Sequence, residues 1–424
     1  MKILFVYPNI TGQTTPQLGV ASLLGLVANK AETLFFDFTF TPQQMMLQSY
    51  LETFQQYKPD VVMISCRTNE WGLVKRIIEV SYPTVTIIGG IHPTVAPEEV
   101  LRYSKIIVRG EAEEVVGKLI DKLKHGKDIS KVPNVWYKAK GKVHKNDVTP
   151  LLEDLDQLPM PTFQAFRKEH FYKSYITALF PDITCVGTFE TSRGCPYSCT
   201  YCANDYLQTL YRGKGKYHRQ KSPGRVKREI DEFKKLYPDT DFLYFVDDTF
   251  LVGDWIEKFA QVYDKTPFVF MTRAEQVTTQ KMKLAADMGA KAVSIGVESG
   301  NEKFRRKVLN RHMSNHQIVQ AFSIARSFGL KTYSFNMVGL PYETPDDVLS
   351  TIKLNKRIKP DIAQFTIFFP FKGTKLYDIC VKEGYLQGEY PEHFNYYGKS
   401  YLKLPGFKDG EIAQWAKRAE KELS

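Results

Sequence analysis

Short apolar runs rich in Val, Ile and Phe recur along this chain of 424 residues, separated by stretches of helical period. In residues 1–125 strand-like runs fall at 2–7, 33–38, 61–65, 85–89 and 105–108, with helix-like segments such as 17–30 and 70–80 between them. That alternation predicts βα units around a doubly wound parallel sheet. If the strand order is flavodoxin-like, a ligand belongs at the carboxyl ends of the first and third strands. The pattern restarts at residue 186, with strands at 186–191, 242–246, 268–272, 292–297, 332–338 and 363–369. A second α/β body is therefore expected, which suits a length that predicts two or three domains.

Cys195, Cys199 and Cys202 follow the first strand of that second body, spaced C-x3-C-x2-C in a chain with six cysteines. A disulfide framework belongs to short, cysteine-dense secreted chains. Zinc asks for four closed ligands, and no second cysteine pair or nearby histidine completes such a site. Three thiolates instead suit three irons of a [4Fe-4S] cluster, leaving the fourth iron open to another ligand. Cys66, Cys185 and Cys380 read as buried small hydrophobes.

The charged fraction of 25% is that of an ordinary globular protein, and the net charge of +11 is unevenly spread. Residues 212–228 carry eight Lys or Arg and no acid. This run reads as a solvated face, a patch for an acidic reductant, or the edge of a pocket for an anionic substrate. No nucleic-acid module accompanies it. No apolar stretch reaches the roughly 18 residues of a membrane span, and no signal peptide is visible, so a cytoplasmic location is expected.

The run C-x3-C-x-aromatic-C, with Tyr201 as the aromatic, resembles the signature of radical S-adenosylmethionine (SAM) enzymes. The resemblance implies an open (βα)6 partial barrel over 186–375, in which the open iron chelates the methionine moiety of SAM and a reduced cluster cleaves it to a 5′-deoxyadenosyl radical. Chemistry in β/α barrels gathers at the carboxyl ends of the strands. Those ends supply Asp247 or Asp248 for the SAM ammonium and Arg273 for its carboxylate. They also supply Glu298 and Ser299 for the ribose, and Asn336 with Gly339 beside the adenine, against which Tyr201 would lie. Structural alternatives are a helix cap for Asp247 and pairing of Arg273 with Glu275 or Glu298.

Residues 1–125 are similar to the cobalamin-binding domain that precedes this core in one large subgroup of the family. The similarity rests on Pro16-Gln-Leu-Gly19, the 59–65 strand, Gly89-Gly-Ile-His-Pro-Thr94 and Arg109-Gly-Glu111. It implies cobalamin contacts from Asn9, Leu18, Ser65, Arg67, Thr68, Gly89, Gly90, His92, Gly110 and Glu111. The motif D-x-H-x-x-G is absent, which implies base-off methylcobalamin with no histidine beneath the cobalt. Residues 126–185 read as a connector with a small hairpin around Gly141 and an extended crossing segment over 151–166. Residues 376–424 read as an extension rich in aromatics, among them Tyr377, Tyr390 and Phe394, ending in a helix over 411–422.

The expected activity is methyl transfer by way of cobalamin to an unactivated carbon, or phosphorus, of a substrate radical. Cyclisation or oxidative rearrangement on the same cofactors is the second expectation, and a non-catalytic cobalamin sensor or electron-transfer protein the third. Expected partners are a small-molecule or natural-product substrate, an anionic one among the candidates, and a reductant such as flavodoxin or ferredoxin. Nucleic acid is not expected.

Overall fold

The computed structural model describes residues 1–386, 390–391 and 396–423; Phe394 lies outside them. The chain forms two compact units, one of Met1–Asp182 with Thr209–Lys216, the other of Ile183–Gln208 with Tyr217–Ser424. No described helix is long and apolar enough to cross a membrane.

The first unit is built on a seven-stranded sheet in the order β2-β1-β3-β4-β5-β6-β7. The parallel strands are β1 (Lys2–Tyr7), β2 (Glu32–Asp37), β3 (Val61–Ser65), β4 (Val85–Gly89) and β5 (Ile106–Val108). The 2-1-3-4-5 order is the flavodoxin-like one, whose switch point lies between β1 and β3. Helices cover both faces, so β1 is buried along five of its six residues and reads as a continuous apolar run rather than an alternating one. Its register, Leu4 beside Val62 and Val6 beside Ile64, feeds a core that includes Trp71, Val74, Ile77, Ile88 and Ile107.

The expected hairpin forms as β6 (Val135–Ala139) and β7 (Lys142–Lys145). It does not stand apart as a connector, because β6 pairs antiparallel with β5, Val108 beside Val135. The apolar Val135 and Trp136 bury against that edge and cover backbone groups that an open edge would expose. Residues 151–166 carry only short 3-10 turns.

The second unit holds six parallel strands in sequential order, β8 (Cys185–Phe189), β11 (Thr240–Phe245), β12 (Phe268–Thr272), β13 (Ala290–Glu298), β14 (Lys331–Val338) and β15 (Ile362–Ile367). β15 and β8 are its outer strands, so the sheet is open. A two-residue antiparallel pair, β9 (Ser192–Arg193) with β10 (Arg219–Gln220), stands just ahead of the cysteines. The helix Glu411–Leu423 places Ile412, Ala416 and Ala419 in a core with Val338, Phe365 and Ile367.

Candidate functional site

All three cysteines lie in one loop after β8, and neighbouring segments fix that loop from several directions. The Thr200 hydroxyl donates to Val308 O at 2.6 Å, and Asn310 Nδ2 donates to Ser198 O at 2.9 Å and Ser198 Oγ at 3.0 Å. On the other side Asp247, which ends the β11 turn, is 2% exposed. Its carboxylate accepts from the Thr191 amide and hydroxyl and from the Ser192 hydroxyl. Burial pushes Asp247 up to about 6 despite those bonds. Its acceptor capacity is thus spent on the approach to the cysteines. Asp248 is exposed and receives Asn204 Nδ2 at 2.8 Å.

Cys195 and Cys199 are buried and Cys202 is partly exposed. Burial raises the Cys195 thiol to about 12 and the Cys202 thiol to about 11, so neither is a thiolate at neutral pH without a cation. Among the described residues no three His, Cys, Asp or Glu side chains converge to hold a metal ion. A cluster needs no such convergence, since each thiolate takes its own iron and the iron's charge deprotonates it. The donor set therefore fits a [4Fe-4S] cluster on Cys195, Cys199 and Cys202, with one iron left open.

The polar groups around the loop form one network. Tyr201 donates its hydroxyl to Glu298 Oε1 at 3.1 Å and accepts from Arg311 Nη1 at 3.1 Å. Arg311 is 4% exposed; Nη2 donates to Gly296 O, Nη1 also reaches the Cys199 sulfur at 3.8 Å, and Nε has no partner among the described residues. Glu298 sits at φ 65 where β13 bulges between Gly296 and Glu298. A left-handed glutamate costs on the order of 1–3 kcal/mol, a strain typical of ligand sites. With the unpaired Arg311 Nε, it fits a rim built to receive a polar ligand such as SAM.

Arg273 takes the partner expected as its alternative. Nε and Nη2 donate to Glu275, Nη1 donates to the Cys199 sulfur at 3.0 Å, and the guanidinium stacks on Tyr197 at 3.7 Å. Ser299 is fully buried, its carbonyl taken by Arg305. Asn336 is spent on a buried ladder with Ser334 and Asn355. At Gly339 a Cβ would lie 2.7 Å from Ile412 Cγ2, so the terminal helix packs directly on that turn. The structure thus joins Tyr201, Glu298, Arg273 and Cys199, while Ser299 and Asn336 point their bonding into the core.

The second group of candidates lies in the first unit at the ends of β1, β3 and β4. Asn9, fully buried, donates to Gln13 O at 2.8 Å and Thr39 Oγ1 at 2.9 Å and accepts from Arg67 at 3.1 Å. Arg67 forms a salt bridge with the buried Glu70 at 2.6 Å. Ser65 Oγ meets Gln17 at 3.4 Å, and the buried Thr68 meets His92 Nδ1 at 3.4 Å. His92 packs on Trp71 at 4.9 Å, and Leu18 is buried at a helix start.

Gly90, at φ 98, leaves no room for a Cβ, which would lie 2.7 Å from Cys66 O; Gly89 has ordinary space. Gly110, at φ 71, faces Tyr211, whose hydroxyl would lie 1.9 Å from an added Cβ and accepts the Glu111 amide at 2.7 Å. In the loop after β1, Thr14 Oγ1 and Thr15 Oγ1 are buried without partners among the described residues. Free hydroxyls at a flavodoxin-like switch point fit the amide side arms of a corrin. No histidine occurs in residues 8–17.

Sequence reading missed Arg311 and Asn204. Arg311 lies beyond the helix Glu302–Lys307 and returns to the rim only because Asn310 and Leu309 pin the cysteine loop. Of the eight cations in the run 212–228, four pair internally, while Arg212, Lys216 and Arg228 are exposed. Lys221 and Arg225, both buried, pair with Glu229 at 2.9 and 2.7 Å, Lys227 pairs with Asp231, and Lys214 with Asp147.

Residues 189–354 match the model of the radical SAM superfamily, and residues 10–120 that of the B12 binding domain. An uncharacterized methyltransferase of Pyrococcus horikoshii is 28% identical, with 91% of this chain and 84% of the relative covered. The anaerobic magnesium-protoporphyrin IX monomethyl ester cyclase of Rubrivivax gelatinosus is 25% identical, with 89% of this chain and 69% of the relative covered. Among solved structures, the radical SAM methyltransferase TsrM from Kitasatospora setae, with cobalamin and [4Fe-4S] cluster bound, has a TM-score of 0.70 at 15% identity, covering 90% of this chain and 75% of that one. That last likeness is one of fold. With both models matched in this order and the three cysteines at the head of the barrel, the chain belongs to the radical SAM enzymes that carry an N-terminal B12-binding domain.

Proposed function

We propose that this enzyme is a cobalamin-dependent radical SAM methyltransferase acting on an unactivated centre of a small-molecule substrate. The observation that carries the reading is the pairing, in one chain, of a three-cysteine loop with a B12-binding domain, alongside similarity over 91% of the chain to a relative named a methyltransferase. When bound, the cluster and SAM supply a hydrogen-abstracting radical, and the corrin supplies a methyl carrier.

The chain's own residues hold and orient. Cys195, Cys199 and Cys202 fix three irons. Glu298, held at the β13 bulge and bonded to Tyr201, accepts from ribose hydroxyls, and Tyr201 presents its ring to the adenine. Asp248, the exposed member of the aspartate pair, accepts from the SAM ammonium. Asn9, Arg67 and the Thr14–Thr15 hydroxyls orient the corrin side arms. A one-electron donor of the flavodoxin or ferredoxin type and a cytoplasmic location complete the proposal.

The test uses the anaerobically reconstituted holoenzyme with hydroxocobalamin, dithionite and SAM bearing a deuterated methyl group. Methyltransferase activity predicts both 5′-deoxyadenosine and a corrinoid carrying the label. Deoxyadenosine without label on the corrinoid would replace methyl transfer by a cyclase-type reaction, which the Rubrivivax relative makes the second reading. Labelled corrinoid without any deoxyadenosine would remove the radical step.

A further inference from the structure

The three cysteines are not equivalent in what they accept. At Cys195 only the Tyr197 backbone amide favours the thiolate, and Cys202 receives the neutral Asn204 side-chain amide at 3.4 Å. Cys199 alone receives charged donors: Arg273 Nη1 at 3.0 Å and Arg311 Nη1 at 3.8 Å. Both guanidiniums are buried, 5% and 4% exposed. Their carboxylate partners differ in closeness: Glu275 chelates Arg273, whereas Glu298 stands 3.7 Å from Arg311.

From this asymmetry we infer that Arg311, with Arg273, is a positioning residue that raises the reduction potential of the cluster through Cys199. Cluster potentials are set by net charge and by hydrogen bonds to the sulfurs. Reduction adds one electron from an external donor, with no bond made or broken, so the site gains one negative charge. Charged donors on a thiolate stabilise that added charge more than neutral amides do. Arg311 is the less neutralised of the two cations, so its removal has the larger effect. It is also bonded to Tyr201 and Gly296, so the same side chain ties the cluster ligand to the SAM rim. The inference rests on the cluster assignment and is independent of which reaction follows.

The experiment is an EPR-monitored redox titration of the full-length protein reconstituted with iron and sulfide, without SAM or substrate, and with iron and sulfide content measured for each variant. Arg311→Met is expected to shift the midpoint to more negative values. Arg311→Lys, which keeps the charge but loses the planar fork, falls between Arg311→Met and wild type, and Asn204→Ala shifts less than Arg311→Met. An unchanged midpoint in Arg311→Met at full cluster content overturns the inference, as does an Asn204→Ala shift of equal size. If Arg311→Met loses its cluster, Arg311→Lys and Arg273→Lys decide in the same way: a negative shift supports, no shift overturns. A wild-type protein that takes up no cluster would overturn the cluster assignment itself.

Discussion

A single buried carboxyl shows how residue-scale physics enters this site. Glu343, 2% exposed, accepts the Gly339 and Leu340 amides with Oε2 and leaves Oε1 without a partner. Burial outweighs those two bonds and pushes its carboxyl up to about 8, with Asp347 adding to the rise. The native state therefore keeps a proton that the unfolded chain gives up near the usual glutamate value of about 4.3. Stability from this group is complete below that value, is lost as pH rises towards 8, and is flat above. Holding that proton across one pH unit corresponds to about 1.4 kcal/mol. Glu343→Gln keeps an acceptor for both amides and removes the titration. The variant is thus expected to lose less melting temperature than wild type between pH 5 and pH 9, and parallel pH profiles would refute the account. At this scale the sequence was informative where chemistry demanded a residue type, as at Tyr201 and the cysteines. It was silent at Arg311 and Glu343, whose importance comes from burial and from partners far along the chain.

At the scale of elements, strands were legible and the use of charge was not. β3, β4 and β12 fall where their apolar runs end in polar or glycine residues, because a parallel strand covered on both faces needs an unbroken run. The pairing inside the basic run was not readable, because the acids that take Lys214, Lys221, Arg225 and Lys227 lie outside the window. Glu229 is four residues beyond Arg225 and one helical turn places them together, while Glu190, 3.7 Å from Lys221, precedes the cysteines. Ser222 caps this helix, Pro223–Leu236, by accepting the Arg225 amide, and its buried face carries Arg225 and Glu229, which Lys221 joins from just ahead of the cap. A carboxylate shared by two buried cations cannot be removed cheaply, because both charges lose their partner. Glu229→Ala is expected to destabilise by about 3–5 kcal/mol, read as a lower urea midpoint with unchanged slope. A change below about 1 kcal/mol, the worth of a surface pair, would show that water replaces the carboxylate.

For the molecule as a whole, the order of the two units was legible and the path of the chain between them was not. The chain passes from the first unit to the second after Asp182, yet Thr209–Lys216, which begins in the last turn of the helix Ala203–Leu210 that follows Cys202, returns to the first unit. No composition shift announces this; it is written in three contacts. Leu151 donates its amide to Lys214 O at 2.7 Å, Lys214 pairs with Asp147, and Tyr211 closes the Arg109-Gly-Glu111 turn by accepting the Glu111 amide. Gly110 has no side chain because that hydroxyl fills the space. Tyr211→Phe keeps the ring and leaves the Glu111 amide without its acceptor, a loss of about 1–3 kcal/mol if water does not enter. The turn lies at the carboxyl end of β5, on the rim that carries the corrin candidates, and none of the three cysteines contributes to it. The variant is therefore expected to retain less hydroxocobalamin after desalting than wild type, while its iron and sulfide content stays the same. Loss of iron together with corrinoid would mean that Tyr211 holds the fold generally, and full corrinoid retention would mean that the turn does not bear on the corrin.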